Sequence, residues 1–158
     1  MIEDIRETMA RAIHESYRTA RASSEGAKDV SMSDWETLPH YLKESNREQA
    51  ADILVKLQRI GCTVHKVTHR RVVLPKFTEE DIERMAEMEH TRWNAERLRG
   101  GWKLGKKKDA TNKISPYLVT WASLSEEAKE WDREIVRKIP ELLAKVGLEI
   151  RRSKLSRM

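Results

Sequence analysis

Cysteine is all but missing from this 158-residue chain. Cys62 stands alone, which excludes an internal disulfide framework and fits a reducing compartment. Long apolar runs are also missing, and nothing approaches the roughly 18 consecutive apolar residues of a membrane span. The first residues, MIEDIRETMARAIHESYR, carry acids where a signal peptide needs an apolar run. A cytoplasmic location without a membrane partner is therefore expected. Charge of one sign is lacking too: 31 basic against 26 acidic residues leave a net charge of +5. Dedicated nucleic-acid binders concentrate more positive charge on one face, so nucleic acid is a disfavoured partner.

What remains is 36% charged and low in glycine, with apolar residues at helical spacing. The chain fits one domain, mainly α with a few short β-strands. Ile5, Met9, Ile13 and Tyr17 recur every fourth position and predict a helix over 2–21. Trp35 and Leu38 begin a short turn limited by Pro39. Ser45-x-x-Glu48 reads as a capping box for a second helix that buries Ile53, Leu54, Leu57 and Ile60 and stops at Gly61. Thr63–Val67 and Arg71–Leu74 look like two short strands around a charged turn. Thr78, followed by Glu79, Glu80 and Asp81, caps a third helix that ends at Gly100-Gly101. A lysine-rich loop then runs to Pro116, an extended piece covers Tyr117 to Trp121, and a last helix spans Ser125 to Val146. Pro140 should kink or divide it, and Leu148–Ile150 reads as a terminal strand.

These elements occur twice. Trp35-x-x-Leu38 matches Trp121-x-x-Leu124, and Asn46-Arg47-Glu48 matches Asp132-Arg133-Glu134. The run Ile53, Leu57, Ile60, Gly61 matches Ile139, Leu143, Val146, Gly147, all at an offset of 86 residues. Upstream, Met9, His14 and Tyr17 match Met85, His90 and Trp93 at an offset of 76. An ordered series of this kind predicts two helix–loop–helix–strand repeats, about 2–67 and 78–150, related by a pseudo-twofold axis and packed as one domain. A basic tail follows at 151–158.

The second copy resembles the RyR domain, the ryanodine receptor repeat, in its stand-alone prokaryotic or viral form. The resemblance rests on His90-Thr91-Arg92-Trp93, Gly101-Trp102-x-x-Gly105, Lys108-Asp109, Lys113, Pro116-x-Leu118, Leu124 and Asp132-Arg133-Glu134, which fall in the family's order. The first copy is a degenerate version that keeps His14-Glu15-Ser16-Tyr17 but lacks the Gly-Trp turn and the Pro-x-Leu step. The resemblance implies a mainly helical domain with small β elements and no enzymatic activity. It also implies a sensor or ligand-recognition role, with nucleotides or nucleotide-derived signals as the suspected ligands.

Read as chemistry, the candidate positions come in pairs. Tyr17 and Trp93 are equivalent, and the two rings either pack in the core or flank a cleft in which a purine would stack. Asn46-Arg47 and Asp132-Arg133 sit one turn into equivalent helices. Each Arg offers a planar fork for a phosphate, or belongs to an intramolecular carboxylate lattice between the halves. Trp102 and Lys108 would close the cleft from the loop. Glu89 falls on an apolar stripe and needs a partner, with Arg92, Arg97 and Arg133 as candidates. Gly100-x-x-x-x-Gly105-Lys106 is no phosphate-binding P-loop, because Lys107 replaces the Ser or Thr and the segment follows a helix. His14, His65 and His69 lack partners at metal-ligand spacing, and no cofactor is implied.

The leading expectation is a non-enzymatic module holding a small anionic ligand, such as an adenine nucleotide, in a cleft between the repeats. The alternative is a protein- or nucleic-acid-interaction domain using Lys106–Lys108 and the basic tail.

Overall fold

A computed structural model describes residues 2–22, 30–68 and 76–153 of the chain. The protein is mainly helical with a few short strands, as its apolar spacing predicts, and it divides into two compact units. Unit 1 is Met1–Lys76 with Ile139–Met158, and unit 2 is Phe77–Lys138. No helix among the described residues is long and apolar enough to cross a membrane.

Unit 1 begins with α1 (Ile2–Arg21), which packs on α2 (His40–Arg59). Of the predicted stripe on α1, Met9 is buried, Ile5 and Ile13 are half-buried and Tyr17 is exposed; Ala10, Ala12, Ala50, Leu57 and Ile60 are buried in the same unit. Two 3₁₀ turns, Val30–Met32 and Trp35–Thr37, lie between the two helices. Asp34 caps the second, its carboxylate accepting from the Thr37 amide at 3.0 Å. α2 starts five residues before the predicted Ser45. Pro39, with its φ preset at −55°, takes the cap position and accepts from the amides of Leu42 and Lys43 at 3.1 Å. Ser45 is therefore inside the helix and the Ser45–Glu48 capping box does not form. Gly61 adopts φ 81°, the left-handed conformation that stops α2.

β1 (Cys62–Lys66) follows and pairs antiparallel with β4 (Leu148–Arg152), Val64 opposite Ile150. Among the described residues the first strand thus pairs with the last; the strand predicted at Arg71–Leu74 lies outside them. α5 (Ile139–Ala144) packs on α1 and leads into β4 through Gly147, at φ 73°. Cys62 is buried as a small apolar residue.

Unit 2 is built on α3 (Glu79–Arg99) against α4 (Glu126–Arg137). Thr78 and Asp81 form a reciprocal capping box, both bonds 3.0 Å, with three acids in the first turn. Met85, Ala86, Leu124, Ala128 and Val136 are buried. The predicted last helix is divided: α4 ends at Arg137 and α5 begins at Ile139, with Pro140, which has no amide hydrogen to donate, at its second position.

The lysine-rich loop is ordered by strands that periodicity does not reveal. β2 (Lys103–Leu104) and β3 (Ile114–Ser115) pair in parallel. A Cβ on Gly105 would meet Ile114 Cγ2 at 2.3 Å, so only glycine admits this approach. Beyond β3 the segment Tyr117–Trp121 is a turn and not extended. The Ser115 hydroxyl accepts from the Tyr117 amide at 3.2 Å, the Val119 amide bonds back to the Tyr117 carbonyl, and a 3₁₀ turn covers Trp121–Ser123.

Candidate functional site

The same set of contacts is made once inside each unit, at the spacings of the repeat. In unit 1 the buried His14 donates through Nε2 to the Ser33 carbonyl at 2.6 Å and lies 6.1 Å from the Trp35 ring. In unit 2 the buried His90 donates to the Val119 carbonyl at 2.7 Å and lies 6.1 Å from Trp121. A carbonyl only accepts, so the proton on each Nε2 is fixed by its partner. The histidines are thus clamps between a helix and the turn that precedes the next helix.

Arg47 and Arg133 complete this frame. Arg47 donates to both oxygens of Glu7 at 2.7 and 3.0 Å, and also to Glu44. Arg133 grips Glu83 the same way, at 2.8 and 3.0 Å, and reaches Glu126 and Glu130. Each guanidinium also lies over the tryptophan of its own unit, Arg47 5.7 Å from Trp35 and Arg133 5.8 Å from Trp121. Hydrogen bonds from Arg47 and Arg133 hold the carboxyls of Glu7 and Glu83 below the ordinary value of 4.5 and raise both guanidinium pKa values. These carboxylate pairs lie within each unit, not between the halves as in the lattice weighed from the sequence.

The other predicted site residues fall on two hollows, one inside each unit. The hollow of unit 2 holds about 290 Å³, and Trp93, Trp102, Lys108 and Asp132 line it. Tyr17 and Asn46 line a hollow of about 210 Å³ in unit 1. Arg47 and Arg133 are not among the lining residues of either.

In unit 2, α3 supplies Glu89, His90, Trp93 and Arg97 from successive turns of one face. Gly101, at φ 86°, folds the chain back after α3 so that the Trp102 amide reaches the Arg97 carbonyl at 3.0 Å. The Arg97 guanidinium consequently sits over two indoles, 5.3 Å from Trp93 and 5.1 Å from Trp102. Asp109 holds the loop, accepting from the Asn112 amide and side chain at 3.2 and 2.7 Å and bridging to Ile114, next to Lys108, which lines the hollow. Lys113 donates to the Gly100 carbonyl at 2.9 Å. α4 contributes Trp131, in edge contact with Tyr117 at 5.1 Å, and Asp132, whose Oδ2 is 3.7 Å from His90 Nδ1.

Glu89, buried on this wall, is gripped by Arg92 at 2.6 and 3.1 Å, the first of the partners its sequence position suggests. Arg84, Arg92, Arg133 and Arg137 pair with carboxylates, whereas among the described residues Arg97, the one arginine lining the hollow, has only ring contacts. Its place in the hollow was legible only in part: Arg97 is four residues after Trp93, as Arg21 is after Tyr17, and Arg21 likewise lies over its ring at 5.2 Å. The return of Trp102 onto the same guanidinium depends on the Gly101 turn.

The sequence also matches a family model. The model described as the RyR domain fits residues 67–152, more than half of the chain and all of unit 2. The His-x-x-Trp helix, the Gly-Trp turn and the Asp-Arg-Glu helix, which build this hollow and its frame, all lie within the match. The chain belongs to the RyR domain family.

Proposed function

We propose that the chain is a non-enzymatic recognition module whose unit 2 hollow binds a small anionic ligand, a nucleotide or a nucleotide-derived molecule. The observation that carries this reading is Arg97, a guanidinium lining an indole-walled hollow with no carboxylate paired to it among the described residues. A cation over two indoles keeps its charge but leaves its in-plane N–H groups for an acceptor such as phosphate. Lys108 adds a second positive charge at the same hollow. Asp132 supplies carboxylate oxygens, which accept from an exocyclic amine or a ribose hydroxyl. A flat base entering between Trp93 and Trp102 would take the place of the Arg97 fork, leaving the fork to swing onto the phosphate.

A thermal-shift screen of the full chain against nucleotides tests this. The expected result is a raised melting temperature with mononucleotides, lost in Trp93→Ala and in Trp102→Ala. If no nucleotide at roughly millimolar concentration raises it, or both variants respond as wild type does, the reading is wrong. Binding that depends instead on Lys106 and Lys107, exposed on the loop, and ignores both indoles would favour a protein- or nucleic-acid-interaction surface.

A further inference from the structure

The hollow of unit 1 occupies the same repeat positions as the hollow of unit 2 but is lined by different chemistry. His14, Tyr17 and Leu38 stand where unit 2 has His90, Trp93 and Leu124. Ser45, Asn46 and Gln49 stand where it has Trp131, Asp132 and Ile135. The clamp that shapes the wall, His14 on the Ser33 carbonyl, is intact. Among the described residues, no Asp, Glu, Lys or Arg lines this hollow. Of the cations close to it, Arg47 is held by Glu7 and Glu44, and Arg21, over the Tyr17 ring as Arg97 is over Trp93, differs from Arg97 in donating to the hydroxyl of that ring.

Hydrogen-bonding capacity is left open. Asn46 uses Nδ2 on the Leu42 carbonyl, while its Oδ1, the Gln49 amide and the Ser45 hydroxyl meet no other group among the described residues. A phosphate placed here would shed water without meeting a cation in the lining. A hydroxyl-bearing ring would find both donors and acceptors, with Leu38 and Leu42 against its C–H faces. We infer that the unit 1 hollow is a second binding site, for a neutral hydroxylated ring: a free sugar or the sugar of a nucleoside. It is independent of what unit 2 binds.

The test is a titration of the ¹⁵N-labelled full chain with ribose, adenosine and AMP. Unit 1 is read at the Trp35 indole and the Asn46 and Gln49 amides, and unit 2 at the indoles of Trp93, Trp102 and Trp131. Ribose or adenosine should shift the unit 1 signals, and adenosine acting alone would show that the base is also read. Gln49→Ala should weaken the response about three- to tenfold, the loss of one hydrogen-bonding group. Asp132→Asn should leave it unchanged. The inference is overturned if neither neutral probe shifts the unit 1 signals, if Gln49→Ala has no effect, or if AMP shifts them as strongly as adenosine. AMP shifts at the unit 2 indoles report on the other hollow, so the two readings fail separately.

Discussion

Arg133 separates the frame from the site, and removing it gives a prediction with a magnitude. Its side chain is 17% exposed, and Glu83, which it grips with two bonds of 2.8 and 3.0 Å, is 44% exposed. Hydrogen bonds between charged groups contribute about 1.5–3 kcal/mol when shielded, while exposed ion pairs contribute about 0.2–1 kcal/mol. A pair solvated mainly on the glutamate side falls between these, and the Trp121 contact at 5.8 Å adds to it. Arg133→Met should therefore cost about 2 kcal/mol, or a melting temperature lower by roughly 4–8 °C for a chain of this length. Urea denaturation of Arg133→Met, Glu83→Gln and the double variant would resolve a coupling of about 1–2 kcal/mol. Ligand binding in unit 2 should persist at temperatures where the variant is folded. A coupling of zero, or a variant with wild-type stability and no ligand binding, would mean that the guanidinium serves the ligand and not the frame.

Two further outcomes follow from the same geometry. Glu7 and Glu83 titrate below their ordinary 4.5 in the folded chain because Arg47 and Arg133 donate to them. Their contribution to stability is full above that value and is lost as pH falls through the lowered folded values. The urea midpoint should therefore drop as pH falls below about 4.5, and Glu83→Gln should shallow that drop. At Gly105, alanine would bring a Cβ within 2.3 Å of Ile114 Cγ2. Gly105→Ala should cost about 1–3 kcal/mol through overpacking and weaken binding in unit 2, and adding Ile114→Ala should restore part of both. A Gly105→Ala variant as stable as wild type would show that β2 and β3 do not need their close approach.

The features legible in the sequence are those set by a few neighbouring residues. Thr78 with Asp81 announces a helix start, Gly61 and Gly147 announce ends, and the spacing of Met9 or Met85 identifies a buried face. Local signals also mislead. Ser45 and Glu48 have the spacing of a capping box, but the turn closed by Pro39 starts the helix earlier. The division of labour among the arginines is not local. Arg47 and Arg133 reach glutamates 40 and 50 residues away, and nothing in the sequence says that these rather than Arg97 are committed. The repeat located Tyr17, Trp93, Asn46 and Asp132 as equivalent positions, and each does line a hollow. Which charges share the hollow depends on the Gly101 turn and the Asp109 loop, and these become visible only when the chain is folded.

The central claim is that the unit 2 hollow takes an anion through Arg97. Calorimetric titration of AMP into the full chain and into Arg97→Met tests it most directly. The variant keeps an apolar stem over the indoles and removes only the charged fork, so the frame is left in place. Wild type should bind AMP, and Arg97→Met should bind it at least about tenfold more weakly, in keeping with the loss of charged hydrogen bonds. Equal affinity in the two proteins, or no binding of AMP by wild type up to roughly 5 mM, would contradict the account.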